Sequence, residues 1–411
     1  MGSFGETRIV ITGLGIVAPG ANTVDQFWNN LTEGVNCISP ISKCHVDSIP
    51  VKAAGQVDLS MKGLGIDRRL LKKCDDFSKY CLYSVGAALE DAGISTNQIE
   101  PHRIGIYVGN NYGGCGQSEE GIRTLYTEGS EFVSPYLATN WFPAAPQGHC
   151  SLHFTIKGFS KTVVADMASS TVAIANAAKV IRDGKAAYMI AGGAEAPIST
   201  WGLVFYEKSH VLSRETEVSE NTYLPFDKKR SGLVLAEGAA FVVLESYESA
   251  SKRNAHIYAE LTGYGITNDG VGAMDNDSSG KLHARAITSA RSSSRLPDYV
   301  CLNGTAVEAL DTAEARGVKT AFGGDAESVT CSAPKAFIGN SYGAAGAMDV
   351  ITTIKSLQTG CIVRTGNTRD LADDIGLDVV LGENREKSIE EAMVVSHGIG
   401  GHNAALSLKK V

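Results

Sequence analysis

Short apolar runs that stop at glycine or asparagine punctuate this sequence: Arg8–Gly13 (RIVITG), Ile104–Asn110 (IGIYVGN), Ala187–Gly193 (AYMIAGG) and Tyr299–Gly304 (YVCLNG). Runs of this length, bounded by turn residues, read as buried strands. Longer helical stretches lie between them. Asp75–Ala92 places apolar residues at helical spacing and is followed by Gly93, a good residue just past a helix end. Ala168–Asp183 is rich in Ala, Val and Ile, is apolar on most faces and is followed by Gly184, so it reads as a buried helix. Strands alternating with helices predict an α/β layered fold with mostly buried sheets.

The chain is long enough, at 411 residues, for two to three domains or one large duplicated one. Asn254–Ile257 precedes a new strand-like segment, Tyr258–Ile266. A boundary near residue 250 therefore divides the chain into halves 1–250 and 251–411. No strict repeat period is visible, so duplication does not follow from the sequence alone. The 45 glycines are scattered, not periodic, which excludes collagen and low complexity. A net charge of −8 argues against nucleic acid or an anionic membrane as partner. No apolar stretch approaches the roughly 20 residues needed to span a bilayer. The N-terminus has no basic region followed by an apolar one, so a cytoplasmic location is expected. Nine cysteines, none in a C-x-x-C pair, argue against a disulfide framework. Cys150 with His149 and His153 is the tightest Cys/His grouping, and no second cluster completes a metal site.

Several segments together resemble the β-ketoacyl synthases of the thiolase-like fold, a layered α-β-α-β-α arrangement of two similar halves. RIVITGLGIVAPGANTVDQFWNNLTEGVNCI is similar to that family's opening strand, turn and first helix. PFDKKRSGLVLAEGAA (residues 225–240) resembles its PFDxxRxGxVxGEGA segment, with Ala236 in place of Gly. Gly304-Thr305, Asp311 and Glu314, then Lys335 and Gly343-Ala344-Ala345-Gly346, match its two histidine-bearing segments. Gly398-Ile399-Gly400-Gly401-His402-Asn403-Ala404 resembles its C-terminal GFGGTNA loop. The likeness covers nearly the whole chain in order.

The family's chemistry uses a Cys thiolate at a helix N-terminus and two histidines that stabilise an enolate. The resemblance puts Met167 at the Cys position, within VVADMASS, and Asn303 and Asn340 at the histidine positions. A thioether does not ionise, and a carboxamide cannot act as a base near neutrality. This pattern is similar to the chain-length factor, or KSβ, of type II polyketide synthases, where Gln usually stands at the Cys position. The resemblance implies a non-catalytic subunit that forms a heterodimer with an active ketosynthase and shapes the polyketide tunnel. It implies no cofactor of its own, the substrate being carried on the phosphopantetheine of an acyl carrier protein.

By the same resemblance Ala138, Thr139, Trp141, Phe142 and Ala145 line the tunnel or interface; Trp141 and Phe142 read otherwise as core aromatics. His397 and Ile399 take the places of two gating phenylalanines in the C-terminal glycine loop, although a structural role suits each histidine there. Arg68, Arg69, Lys72 and Lys73 form a basic cluster just before the helix entering at Asp75. It is either a solvated helix face or a docking site for an acidic carrier protein. Two rival functions remain: a thiolase-fold acyltransferase, decarboxylase or hydrolase using Cys301 or Ser169 as nucleophile, and a non-condensing homodimeric scaffold. Cys301, two residues before Asn303, would face the same side if both lie on one strand.

Overall fold

A computed structural model describes residues 7–411 except 48, 63, 64, 216 and 273. The expectation drawn from the first six residues lies outside the described part. Strands β1 (Ile9–Val17), β2 (Ile104–Gly109), β3 (Ser160–Val163), β4 (Tyr188–Glu195), β5 (Gly238–Ser246), β6 (Ala259–Asn268), β7 (Tyr299–Cys301), β8 (Thr330–Ser332), β9 (Asp378–Val379), β10 (Glu391–His397) and β11 (His402–Lys409) join in one sheet. Their order is β9-β8-β7-β10-β11-β6-β1-β5-β4-β2-β3.

Counted outward from the middle, this order contains the same arrangement twice. In the first half β1, β5 and β4 pair antiparallel, and β2 and β3 continue parallel. In the second half β6, β11 and β10 pair antiparallel, and β7 and β8 continue parallel. Each half therefore sets its five strands in the spatial order third, second, fourth, fifth, first. The duplication that the sequence leaves open is explicit in the backbone. β1 joins the halves, pairing with β5 along its length and with β6 at Ile9–Ile11.

Helices that build the layers include α1 (Asp76–Asp91), α2 (Cys115–Thr127), α3 (Ala145–His153), α4 (Ser169–Arg182), α5 (Lys281–Ala290), α6 (Glu308–Phe322) and α7 (Ala345–Thr359). α1 and α3 cover the first half of the sheet, α5 and α6 the second, and α4 packs on α7 between them. α4 and α7 are buried on most faces, as the Ala-, Val- and Ile-rich stretch before Gly184 predicts. α1 begins and ends within a residue of its predicted bounds, and both Gly93 and Gly184 take left-handed backbone just past their helices.

β1 runs on to Val17, four residues past the expected stop at Gly13. Gly13 and Gly15 are not turn residues. A side chain at Gly13 would meet the Ala88 carbonyl at 2.3 Å, and one at Gly15 the Ser84 carbonyl at 2.0 Å. These glycines let α1 lie directly on the strand. Among the described residues no helix is long and apolar enough to cross a membrane.

Candidate functional site

The turn between β3 and α4 sits where the two halves meet. Asp166 there has φ 50°, a left-handed backbone that costs a non-glycine residue on the order of 1–3 kcal/mol. Surrounding bonds hold it in place. Asp166 Oδ2 accepts the Ile399 N–H at 2.8 Å, and Oδ1 accepts from Asn111 Nδ2 at 3.2 Å. Burial pushes this carboxyl up to about 6, against the pull of the Met167 and Ile399 backbone N–H groups. The next residue, Met167, is fully buried just before the first turn of α4. The positive end of a 14-residue helix is thus aimed at a group with nothing to ionise.

Asn303 and Asn340 reach Met167 from the second half. The Asn340 Nδ2 lies 3.3 Å from the Met167 sulfur and the Asn303 Nδ2 3.7 Å from it. Both carboxamides are held by their neighbours. Asn303 Nδ2 also donates to the His397 carbonyl at 2.8 Å, and its Oδ1 faces Lys335 Nζ at 3.4 Å. Asn340 Oδ1 accepts the Tyr342 N–H at 2.8 Å. Its backbone is clamped between Val234 and Ala236 of the glycine-rich 225–240 segment. Glu314, buried and pushed up to about 7, takes the N–H groups of Asn303 and Gly304. Lys335 forms a buried ion pair with Asp349 at 2.6 Å. Together these bonds hold the two carboxamides against a thioether, a weak acceptor. None of the three side chains titrates near neutrality.

Outside Met167 stand three tyrosines. The Tyr206 ring packs on Tyr342 at 4.3 Å between centroids and on Tyr112 at 5.8 Å. Tyr112 and Tyr206 border a cleft of about 450 Å³ lined also by Asn111, Asp166, Met274 and Ile399, among others, with Tyr342 buried behind them. Tyr112, Tyr206 and Tyr342 escape sequence reading because they come from three distant segments. The AGGAE strand end carries a partial signal for this wall. Its Glu195, pushed up to about 7 by burial, accepts the N–H groups of Asn111, Tyr112 and Gly343.

Ile399 stands on the cleft, as expected of a loop residue. His397 does not stand in the loop. It is the last residue of β10, it is buried, and its Nε2 lies 2.9 Å from Asn276 Nδ2 and 3.6 Å from Asp269 Oδ2. Its ring stacks on His283, which burial lowers to about 3. The side chain is engaged there, and only its carbonyl touches Asn303.

Both rival nucleophiles are occupied. Cys301 ends β7, so strand alternation does not carry through to Asn303. Its thiol is fully buried and pushed up by that burial. Ser169 Oγ accepts the Ala165 N–H at 2.8 Å and donates to the Asp166 carbonyl at 2.7 Å. Cys150 lies 3.5 Å from the Cys81 sulfur, while His149 turns to Cys74 and His153 to Phe154, so that grouping does not converge.

Trp141 and Phe142 are not core residues. They are 50% and 52% exposed, with ring centroids 5.7 Å apart. Ala138 and Thr139, in the short helix Leu137–Asn140, are exposed beside them, and Ala145 is half-buried at the start of α3. Phe132, Leu152, Phe159, Val164 and Phe205 are further exposed apolar residues of the first half. Arg68 and Arg69 form a four-residue helix of their own, Arg68–Leu71, rather than leading straight into α1. Lys72 follows, exposed, and Lys73 places its ammonium 4.9 Å from the Tyr136 ring centroid.

Family models match the β-ketoacyl synthase N-terminal domain over residues 6–250 and the C-terminal domain over residues 258–369. The chain is 32% identical over 410 residues to 3-oxoacyl-[acyl-carrier-protein] synthase 2 of Coxiella burnetii, covering 99% of each. Among solved structures it resembles the ishigamide ketosynthase/chain length factor, with a TM-score of 0.91 and 24% identity over 99% of this chain and 100% of that one. It also resembles a ketosynthase in complex with its type II polyketide synthase acyl-carrier protein, with a TM-score of 0.89 and 24% identity over 98% and 100%. At that identity the two structures establish the fold, which is thiolase-like.

Proposed function

Because this chain belongs to the β-ketoacyl synthase family, we propose that it is the non-catalytic, chain-length-determining subunit of a type II polyketide synthase, paired with an active ketosynthase. One observation carries the reading: a thioether heads α4, with two carboxamide N–H groups turned on its sulfur. Acyl transfer needs a nucleophile that can be deprotonated, and Met167 has no proton to lose. Decarboxylation of a malonyl thioester needs donors free to meet a developing enolate oxygen. Here Asn303 donates to the His397 carbonyl and both amides face Met167.

The growing chain stays on the partner's cysteine and runs along the exposed segment 138–145. Trp141 and Phe142 limit its reach, and Ala138, Thr139 and Ala145 leave it room. Ile399 borders the vacated site, and His397 holds the loop behind it in place. The edge of β3 and the apolar residues around it suit a permanent partner interface. Arg68, Arg69, Lys72 and Lys73 receive an acidic acyl carrier protein. The ishigamide ketosynthase/chain length factor and the ketosynthase–carrier complex share this fold, which fits a chain of this shape working in such an assembly. Nine unpaired cysteines fit the reducing cytoplasm.

Co-production with a ketosynthase that keeps its Cys-His-His set tests the reading. A one-to-one complex is expected, and Trp141→Ala or Phe142→Ala in it should lengthen the product by at least one extension. A homodimer that ignores the ketosynthase, or products unchanged in length, would refute it.

A further inference from the structure

The aromatic segment is tied to the residues that follow the basic cluster. The side chain that bonds to both segments is Gln117, near the start of α2. Its backbone N–H donates to Asp75 Oδ2 at 2.8 Å, and its Nε2 donates to the Cys74 carbonyl at 2.9 Å. Its Oε1 accepts from Asn140 Nδ2, in the residue just before Trp141. Asn140 is 2% exposed, so this bond is shielded from water. Three further contacts run between the same pieces. Gly114 N–H donates to the Trp141 carbonyl at 3.1 Å. Gly121 has no side chain to keep Leu137 off α2; one there would meet Leu137 Cδ2 at 2.4 Å. Lys73 lies against Tyr136.

We infer that Gln117 is a positioning residue: by bonding Cys74 with its amide and Asn140 with its carbonyl, it fixes where Trp141 and Phe142 stand relative to the basic helix. The inference rests on the tunnel role proposed for those two residues. A single carboxamide suits the task because it offers a donor and an acceptor at once, one to each segment. Glutamate at the same place keeps the acceptor for Asn140 and loses the donor for Cys74. Alanine loses both.

Two readouts test it. In the isolated chain, amide hydrogen exchange over residues 137–142 should speed up about tenfold in Gln117→Ala and less in Gln117→Glu. In the complex with an active ketosynthase, the share of the main product length should fall about threefold in Gln117→Ala, with a smaller fall in Gln117→Glu and an elongation rate close to the parent's. A general structural defect would instead lower rate and stability while leaving the product distribution alone, and that result overturns the inference. Unchanged exchange and unchanged products overturn it too. If Gln117→Ala does not assemble, Gln117→Glu decides by the same criteria. Trp141→Ala separates the two levels of the account. If it leaves product length unchanged, the tunnel reading fails, and exchange alone then judges the Gln117 coupling.

Discussion

The two halves of the sheet share a strand order but finish differently. The second half ends on β8, and β9 pairs along its outer side at Thr330 and Cys331. The first half ends on β3, and among the described residues nothing pairs with its outer side. Phe159 and Val164, flanking β3, are 42% and 55% exposed. An open edge between apolar residues invites another chain, and proteins normally cover or charge such edges. The second half thus carries one more strand, the two-residue β9, beyond the strand that ends the first half's repeat. The turns that head the two central helices differ in the same sense. Each has a non-glycine residue in left-handed backbone, Asp166 in one half and Tyr342 in the other. The first presents Met167, and the second brings Asn340 onto it.

The largest effect should come from spoiling the open edge. The carbonyls of Phe159 and Val163 take up amides of β2 and Asn110, so by alternation the Thr162 N–H points outward. Thr162→Pro should weaken binding to the ketosynthase at least about a hundredfold with little change in the melting temperature of the isolated chain. Titration by calorimetry or light scattering checks this, and tight binding by the variant would remove β3 from the interface.

Next comes the plug of the vacated site. Met167 is fully buried among Ile198, Leu203, Tyr206 and Tyr342. Met167→Ala should cost about 2–4 kcal/mol in denaturant unfolding. Met167→Cys should not restore condensation, because Asn303 and Asn340 still lack a titrating nitrogen.

A smaller effect sharpens the likeness of the halves. Glu195 in one half and Glu314 in the other are each raised to about 7 by burial, from a usual value of 4.5. A raised carboxyl binds its proton more tightly folded than unfolded. Its contribution is therefore complete below pH 4.5 and lost as the pH climbs to 7. Unfolding midpoints in urea should fall over that window, and Glu195→Gln or Glu314→Gln should each reduce the fall in stability across it by up to about 3 kcal/mol. Equal slopes in parent and variants would show that neither carboxyl is held this way.

The smallest effect concerns charge. Arg68→Glu with Lys72→Glu should weaken carrier-protein binding several-fold, most at low salt, and leave folding unchanged. The matching reversal in the second half, at the exposed Lys281 and Arg285 of α5, should do nothing to carrier binding.

Much of the first half was legible. β2, α1 and α4 announce themselves by period and by the glycines at their ends, and Met167, Asn303 and Asn340 fall at motif positions that the fold then brings within contact. The two similar halves were implied by the family resemblance but not by any repeat in the residues, because the halves share backbone order without sharing sequence: six residues from Ile104 to Gly109 serve as the second strand in one, three from Tyr299 to Cys301 in the other. The tyrosine wall was hidden for a related reason, since Tyr112, Tyr206 and Tyr342 meet only in three dimensions. Without the resemblance, which favours a lining or interface role, Trp141 and Phe142 read as core aromatics, and the folded surface shows them half-exposed. His397 was misplaced because a glycine-rich motif says where a loop turns, not where the strand before it ends.

Carbon–carbon bond formation by the isolated chain tests the central claim most directly. Supplied with an acyl-carrier and a malonyl-carrier thioester, the purified protein should yield no condensation product, and activity should appear when a ketosynthase bearing cysteine is added. Turnover at an ordinary enzymatic rate without that partner would contradict the account.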